Sequence, residues 1–392
     1  MVKRVIAIAP GKIILHGEHA VVYGKKAIAC AIDATITIEL CATDDNCVSF
    51  HLPNVLCQKD ALKIKIESLK ELLVRCQSIG RIESNILDWH EKIKEFVAST
   101  LIFNGNENKL LNLALSSCLF AYMKILVLDG QCNFPSVFVK IESNNLPLGA
   151  GLGSSAACSV CLATTMLVHA GIIHPKENDQ GITLDDNVLE KINETALMLE
   201  KLLHGNPSGI DNAISTYGGA VVYHNGKISH ISSLPSLQFL VVNTGIARNT
   251  KSLVSSVKSK MTDFPEVVCN IMQAIHEISV QAEGILRDVE KSHSQNHEMD
   301  LKKLKELLKM NQHLLQSIGV SHPKIDEICK IAEENNFSCK LTGAGGGGCA
   351  IVMFDEATEQ INSLINELNK RGFKNWKVKL GCKGVQLKQI AK

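Results

Sequence analysis

The tightest constraint on this chain is a run of ten residues near its middle, Leu148-Gly149-Ala150-Gly151-Leu152-Gly153-Ser154-Ser155-Ala156-Ala157. Ahead of it, Ser136 to Glu142 alternates apolar and polar residues as a half-buried strand does, and Asn144, Asn145 and Pro147 break the pattern. Behind it, Ser155 to Ala170 is rich in Ala, Leu and Val and holds no Gly or Pro. That predicts a helix starting near Ser154, whose hydroxyl is suited to cap it. Glycines leading into a helix N-terminus let backbone N–H groups approach an anion, and the unpaired N–H groups of the first turn favour negative charge there. Glycine-rich turns without a ligand are common, so the run alone leaves a phosphate cradle and an ordinary surface turn both open.

With 392 residues the chain exceeds one typical core and suggests two domains. Lys plus Arg (41) and Asp plus Glu (40) nearly cancel, so no overall field draws the protein to nucleic acid or to a membrane surface, and neither partner is expected. MVKRVIAIAPGK lacks the apolar length of a secretory signal and QLKQIAK is not a peroxisomal address; a cytoplasmic location is expected. Leu110 to Leu128 is long and apolar enough to span a bilayer, but Asn112, Ser116, Ser117 and Lys124 favour a buried helix. Fourteen cysteines scattered through apolar segments read as reduced, packed thiols. Cys158 and Cys161 form a C-x-x-C, but inside the predicted helix and with no second pair at metal-site spacing.

Along the chain, Lys3 to Ala9 is a short strand closed by Pro10-Gly11, and Ile13 to Val22 and Ala27 to Leu40 continue a β-rich opening. Helices are expected over Ser84 to Thr100, Asn108 to Leu128 and Asn187 to Leu203, then a hairpin about His224-Asn225-Gly226 and a strand over Phe239 to Asn243. Four helices follow, at about Thr250 to Met261, Glu266 to Leu286, Leu301 to Gln316 and Lys324 to Asn335, with Lys291 to Asp300 an exposed loop between the middle two. The strand Cys349 to Phe354, a helix from about Thr358 to Arg371 and a last strand around Trp376 to Leu380 close the pattern. The weak boundary near residues 226 to 236 divides the chain into 1–228 and 229–392.

A second glycine run, Gly343-Ala344-Gly345-Gly346-Gly347-Gly348, formally contains G-x-G-x-x-G. A dinucleotide site needs a helix directly after those glycines, whereas Cys349 to Phe354 reads as a strand. Six consecutive Gly or Ala residues are read as a glycine-rich hairpin connection or, in preference, as backbone that a bulky ligand or another loop approaches closely. There is no G-x-x-x-x-G-K-[ST], H-R-D or D-F-G, so any phosphoryl transfer uses another scaffold. The N-terminal stretch Pro10-Gly11-Lys12-Ile13-Ile14-Leu15-His16-Gly17-Glu18-His19 gathers a lysine, two histidines and a glutamate between β-rich segments. Glu200 and the stretch His204 to Asn212, with Asp211, offer the acidic side of the same chemistry; read singly, Glu200 is equally a helix surface charge and Asp211 a helix cap.

Taken together, PGKIILHGEHAVVYG, LPLGAGLGSSAA, HGNPSGIDNAIS and KLTGAGGGGCAIV resemble the signature motifs of the GHMP small-molecule kinases, over nearly the whole chain, and within that family the branch acting on mevalonate. One departure is Leu148, where family members usually carry proline before the first glycine. The resemblance implies an α+β fold of two domains, an N-terminal one like ribosomal protein S5 domain 2 and a C-terminal ferredoxin-like one, with the active site in the cleft between them. It implies ATP and Mg²⁺, with Gly149, Gly151, Gly153, Ser154, Ser155 and Ala156 on the nucleotide phosphates and Ser155 and Glu200 on the metal. Asp211 matches the catalytic base and Lys12 the lysine beside it. Glu18, His19, Arg248, Thr250, Gly343 and Ala344 match positions lining the substrate site, His19 and Arg248 facing the acid substrate. The implied reaction is phosphorylation of the 5-hydroxyl of mevalonate, in a homodimer inhibited by farnesyl or geranyl diphosphate. Neighbouring alternatives are a phosphomevalonate or galactokinase-like enzyme of the same family, or a nucleotide-binding regulator without catalysis.

Overall fold

The computed structural model describes residues 2–53, 61–100, 107–179, 181–205, 207–231, 234, 237–291, 297–354 and 359–391. The N-terminal part contains strands β1 (Arg4–His16), β2 (Ala27–Ala42), β3 (Cys47–His51), β4 (Leu62–Lys65) and β5 (Val137–Asn144), a small hairpin β6–β7 (Lys176–Asn178, Gly181–Thr183), and the hairpin β8–β9 (Ala220–His224, Lys227–Ile231). Its helices are α1 (Ile66–Gln77), α2 (Ile86–Thr100), α3 (Glu107–Ala121), α4 (Ser154–His169), α5 (Asp186–His204) and α6 (Ile210–Tyr217). The C-terminal part adds β10 (Gln238–Asn243), α7 (Thr250–Asp263), α8 (Pro265–Lys291), α9 (His297–Ser317), α10 (Pro323–Glu334), β11 (Ser338–Thr342), β12 (Cys349–Phe354), α11 (Glu359–Lys370), β13 (Lys374–Lys379) and β14 (Gln386–Ala391).

Eight strands form the first sheet, in the order β14-β1-β2-β5-β3-β4, with β8 and β9 attached beside β2. The second sheet runs β11-β12-β10-β13 and is antiparallel throughout. Its β-α-β-β-α-β succession with that order is the ferredoxin-like arrangement. Alternation along β10 shows how the two units share packing: Phe239 and Val241 enter the large core that continues into the first sheet, while Leu240 and Val242 face α10 and α11. The sheets do not divide the chain at one point. β9 lies across the expected boundary at residue 228 and belongs to the first sheet, and β14 returns to it after the second sheet is complete.

Several local expectations change. β1 runs on through Pro10-Gly11 rather than ending there; its register against β2 shifts between these two residues, so the irregular pair is absorbed inside a long strand. A Cβ on Gly11 would stand 2.7 Å from the Leu152 carbonyl, and the missing side chain lets the central glycine loop cross β1. Ser154 does not cap α4. The N-cap is Gly153, in the left-handed region at φ 76°, with no side-chain hydrogen bond. The stretch Cys41 to Arg81, unread in the sequence, supplies β3, β4 and α1. Of the expected loop 291–300, residues 292–296 lie outside the described residues and α9 begins at His297.

The bilayer-length apolar run forms α3 and then opens into wider turns over Tyr122–Asp129. Phe120, Ala121, Tyr122 and Met123 are fully buried there, as expected of a core helix. The cysteines of the described residues are all free, and Cys161 is packed inside α4 with its Sγ against the Ala7 and Ile36 carbonyls.

Candidate active site

Five elements converge on one cavity. The central glycine loop ends at α4, β1 passes beneath it, α5 and α6 flank it, and the segment before α7 closes it from the second unit. The Lys12 backbone N–H donates to the Leu152 carbonyl at 2.8 Å, tying the loop to β1. Gly153 is required here: a Cβ would lie 2.9 Å from Lys12 Cγ, so only glycine lets the lysine pass under the helix start. At Gly149, by contrast, nothing lies within 4 Å of where a Cβ would stand. The loop therefore presents open backbone at a helix N-terminus, the arrangement that binds phosphate.

The cavity, about 430 Å³, is lined by Gly149, Gly151, Gly153, Ser154, Ser155, Asp211, Arg248 and Thr250 among others. Leu113, Ile141 and Leu162 also line it, and its wall is mostly apolar. Lys12 Nζ lies 3.1 Å from Asp211 Oδ1; the lysine side chain is buried while that of Asp211 is 42% exposed toward the cavity. Asp211 sits in the first turn of α6, behind left-handed Gly209 at φ 81°.

Glu200 is buried in α5. It accepts from Ser159 Oγ at 3.0 Å and Ser155 Oγ at 3.3 Å, both from α4 and one turn apart. Burial pushes its carboxyl up to about 7, and the Asp211 charge adds to the rise while the serine hydrogen bonds oppose it. His204, one turn beyond Glu200, brings Nε2 to 3.2 Å from Ser155 Oγ and 3.6 Å from Glu200 Oε2. Ser155 and Glu200 thus come together as the sequence implied. Ser159 and His204 were missed, although their i, i+4 spacings from Ser155 and Glu200 were legible.

Arg248 packs its guanidinium against two glycines from different runs. A Cβ on Gly151 would meet its Cζ at 2.0 Å, and one on Gly343 would meet a terminal nitrogen at 2.5 Å. Burial lowers its pKa from the usual guanidinium value. Thr250 opens α7, which is capped by the Asn249 side chain accepting from Ser252 N–H at 3.1 Å.

The expected substrate-side residues separate into two groups. His19, left-handed at φ 57°, directs Nε2 to the Ala344 carbonyl at 2.8 Å, so that nitrogen carries the hydrogen. Burial lowers the pKa of this ring, against the carbonyl contact. Glu18 turns the other way, its side chain fully buried in an ion pair with Lys340; neither Glu18 nor His19 lines the cavity. Ala156 is fully buried in the first turn of α4 and does not line the cavity.

Two family models match the chain, the GHMP kinases N terminal domain over residues 117–219 and the GHMP kinases C terminal over 292–372. The mevalonate kinase of Mus musculus is 36% identical over 388 residues, which cover 98% of this chain and 95% of that protein. This chain belongs to the mevalonate kinase family. The Arabidopsis thaliana mevalonate kinase is 34% identical, over 97% of this chain and 98% of its own length. The solved structure of the Methanococcus jannaschii mevalonate kinase matches with a TM-score of 0.68 at 25% identity, covering 96% of this chain and 98% of that one. Kinases of the GHMP family use ATP as co-substrate. The chain is thus a small-molecule kinase.

Proposed function

We propose that this protein transfers the γ-phosphoryl group of ATP to the 5-hydroxyl of mevalonate. The observation that carries the reading is the Lys12–Asp211 pair: Asp211 lines the cavity together with the open glycine loop, and the buried Lys12 stands against it. Phosphoryl transfer needs little covalent help from a protein; positioning and charge neutralisation do most of the work. The glycine loop and the α4 N-terminus hold the nucleotide phosphates. Asp211 accepts the proton of the attacking hydroxyl, and the Lys12 ammonium beside it offsets negative charge developing on that oxygen. Arg248, wedged between the two glycine runs, supplies a fork suited to phosphate or carboxylate oxygen.

Ser155 and Glu200 fit Mg²⁺. Both present hard oxygen atoms side by side, and the buried Glu200 carboxyl, raised to about 7, is a group whose charge a divalent cation would restore. When bound, the ion would neutralise charge on the phosphate oxygens. The apolar wall of the cavity suits a purine, and it equally suits the chain of a farnesyl or geranyl diphosphate competing with ATP. Homodimer assembly belongs to the same reading and is checked by sedimentation.

Asp211→Asn is the direct test. Turnover measured by ADP release with mevalonate is expected to fall by about three orders of magnitude, with ATP affinity changed by less than about threefold. Near-normal turnover would remove Asp211 from the role of base. A panel including phosphomevalonate and galactose separates this activity from its neighbours in the family.

A further inference from the structure

Lys340 belongs to none of the four motif roles above, yet it is among the largest fully buried side chains of the molecule. It stands on β11 of the second sheet, 322 positions from its partner Glu18 on the turn after β1, and both side chains are completely shielded from solvent. Asn311 of α9 donates to the other oxygen of Glu18 at 3.0 Å, and Lys340 Nζ also donates to the Leu341 carbonyl at 2.6 Å. The Leu341 N–H in turn donates to Gln312 at 2.9 Å.

Alternation along β11 places Thr342 on the same side of the strand as Lys340. The Thr342 hydroxyl accepts from the Ile14 N–H at 2.9 Å and donates to the Ile14 carbonyl at 3.0 Å, as an extra strand position would. The next contact outward is the bond from His19 to the Ala344 carbonyl. Residues 340, 342 and 344 are therefore stitched to residues 18, 14 and 19, and this seam joins the strand that carries Lys12 to the run that holds Arg248. A buried ion pair is a poor way to gain stability, because desolvation offsets the attraction and apolar residues of equal volume serve as well or better. What it provides is a single allowed geometry.

We propose that Lys340, through Glu18, is a positioning residue for the phosphoryl acceptor. The pair fixes the turn that carries His19 against the C-terminal glycine run and so sets the acceptor side of the cleft, while the nucleotide side, built on the first unit, does not depend on it. This rests on the mevalonate-kinase reading given above.

Lys340→Met, Glu18→Gln and the double variant test it in the full chain. Each single variant is expected to lower Tm and to raise the KM for mevalonate about tenfold or more, with the KM for ATP changed by less than about threefold. The double variant buries no unpaired charge, so it should recover most of the lost Tm while the mevalonate KM stays high. Recovery of Tm and mevalonate KM together, or an equal rise in both KM values, would overturn the positioning role. If a single variant fails to fold, Glu18→Asp keeps both charges on a shorter arm. A raised mevalonate KM at near-native Tm then supports the proposal, and an unmoved KM overturns it. Absence of mevalonate-dependent ADP release from the unaltered chain would overturn the activity itself; its presence with an unmoved KM overturns only the positioning.

Discussion

The two glycine runs read alike, and their surroundings are opposite. In the central run a Cβ at Gly149 would meet no atom within 4 Å, whereas in the C-terminal run a Cβ at Gly345 would stand 2.0 Å from the Val320 carbonyl oxygen and one at Gly347 2.7 Å from that of Ile246. All three residues have positive φ, so backbone conformation does not distinguish them. The difference is what fills the missing side-chain space. In the central run Gly149 keeps it open while Gly151 and Gly153 give it to the Arg248 and Lys12 side chains; in the C-terminal run Gly345 and Gly347 give it to the chain's own backbone, in the tight connection between β11 and β12. The second run is the hairpin connection between β11 and β12, and other parts of the chain come close to its backbone at Gly345 and Gly347.

Substitutions at these glycines separate a packing role from a binding one. The largest effect is expected for Gly345→Ala, where the new methyl group meets backbone that cannot swing aside. A stability loss of about 4 kcal/mol or more, read as a fall in Tm and in soluble yield, is the expected result. Native-like stability would show that this run is not sealed. Next comes Glu200, whose burial accompanies the open run. A carboxyl raised from 4.5 to about 7 favours the protonated form in the folded state. Its contribution to stability is therefore fully present below its unfolded pKa and lost as pH rises through about 7. The loss amounts to at most on the order of 3 kcal/mol. Glu200→Gln, which mimics the protonated group, should raise the Tm of the ligand-free protein at pH 8 and leave it nearly unchanged at pH 5; an equal change at both would refute the burial argument.

Gly151→Ala should fall between packing and binding. Its Cβ would displace only the flexible end of Arg248, so the fold is expected to survive while kcat/KM falls about a hundredfold, roughly 2.7 kcal/mol. Unchanged kcat/KM would remove Arg248 from the site. The smallest effect is expected at Gly149, where alanine meets open space and only the left-handed backbone resists. Thermal melts should show a loss of about 1 kcal/mol, with the KM for ATP raised several-fold. A large loss of stability there would erase the contrast between the runs.

Much of the site was legible because its residues sit in short contiguous motifs. The strand, glycine loop and helix around residue 150 were readable from periodicity, and the strand after Gly348 was enough to reject a dinucleotide fold. Resemblance to the family added the pairing of Lys12 with Asp211 and of Ser155 with Glu200. Local pattern failed where a distant partner decides. Pro10-Gly11 signals a strand end, but pairing with β2, which continues on both sides of it, carries β1 through. Glu18 looked like an active-site acid until Lys340, more than three hundred residues away, claimed it. β14 went unread because Gln386 to Ala391 mixes polar and apolar residues as an edge strand does.

That last strand has a consequence for how the protein is made. Residues 386–391 pair with residues 4–8, from the far side of the second sheet in sequence. On a ribosome, the outer edge of β1 stays without its partner until residues 386–391 have been synthesised, a long interval in which an unpaired strand is open to misassociation. Removing the final six residues of β14 would leave both sheets' other strands present and the first of them with a permanent raw edge.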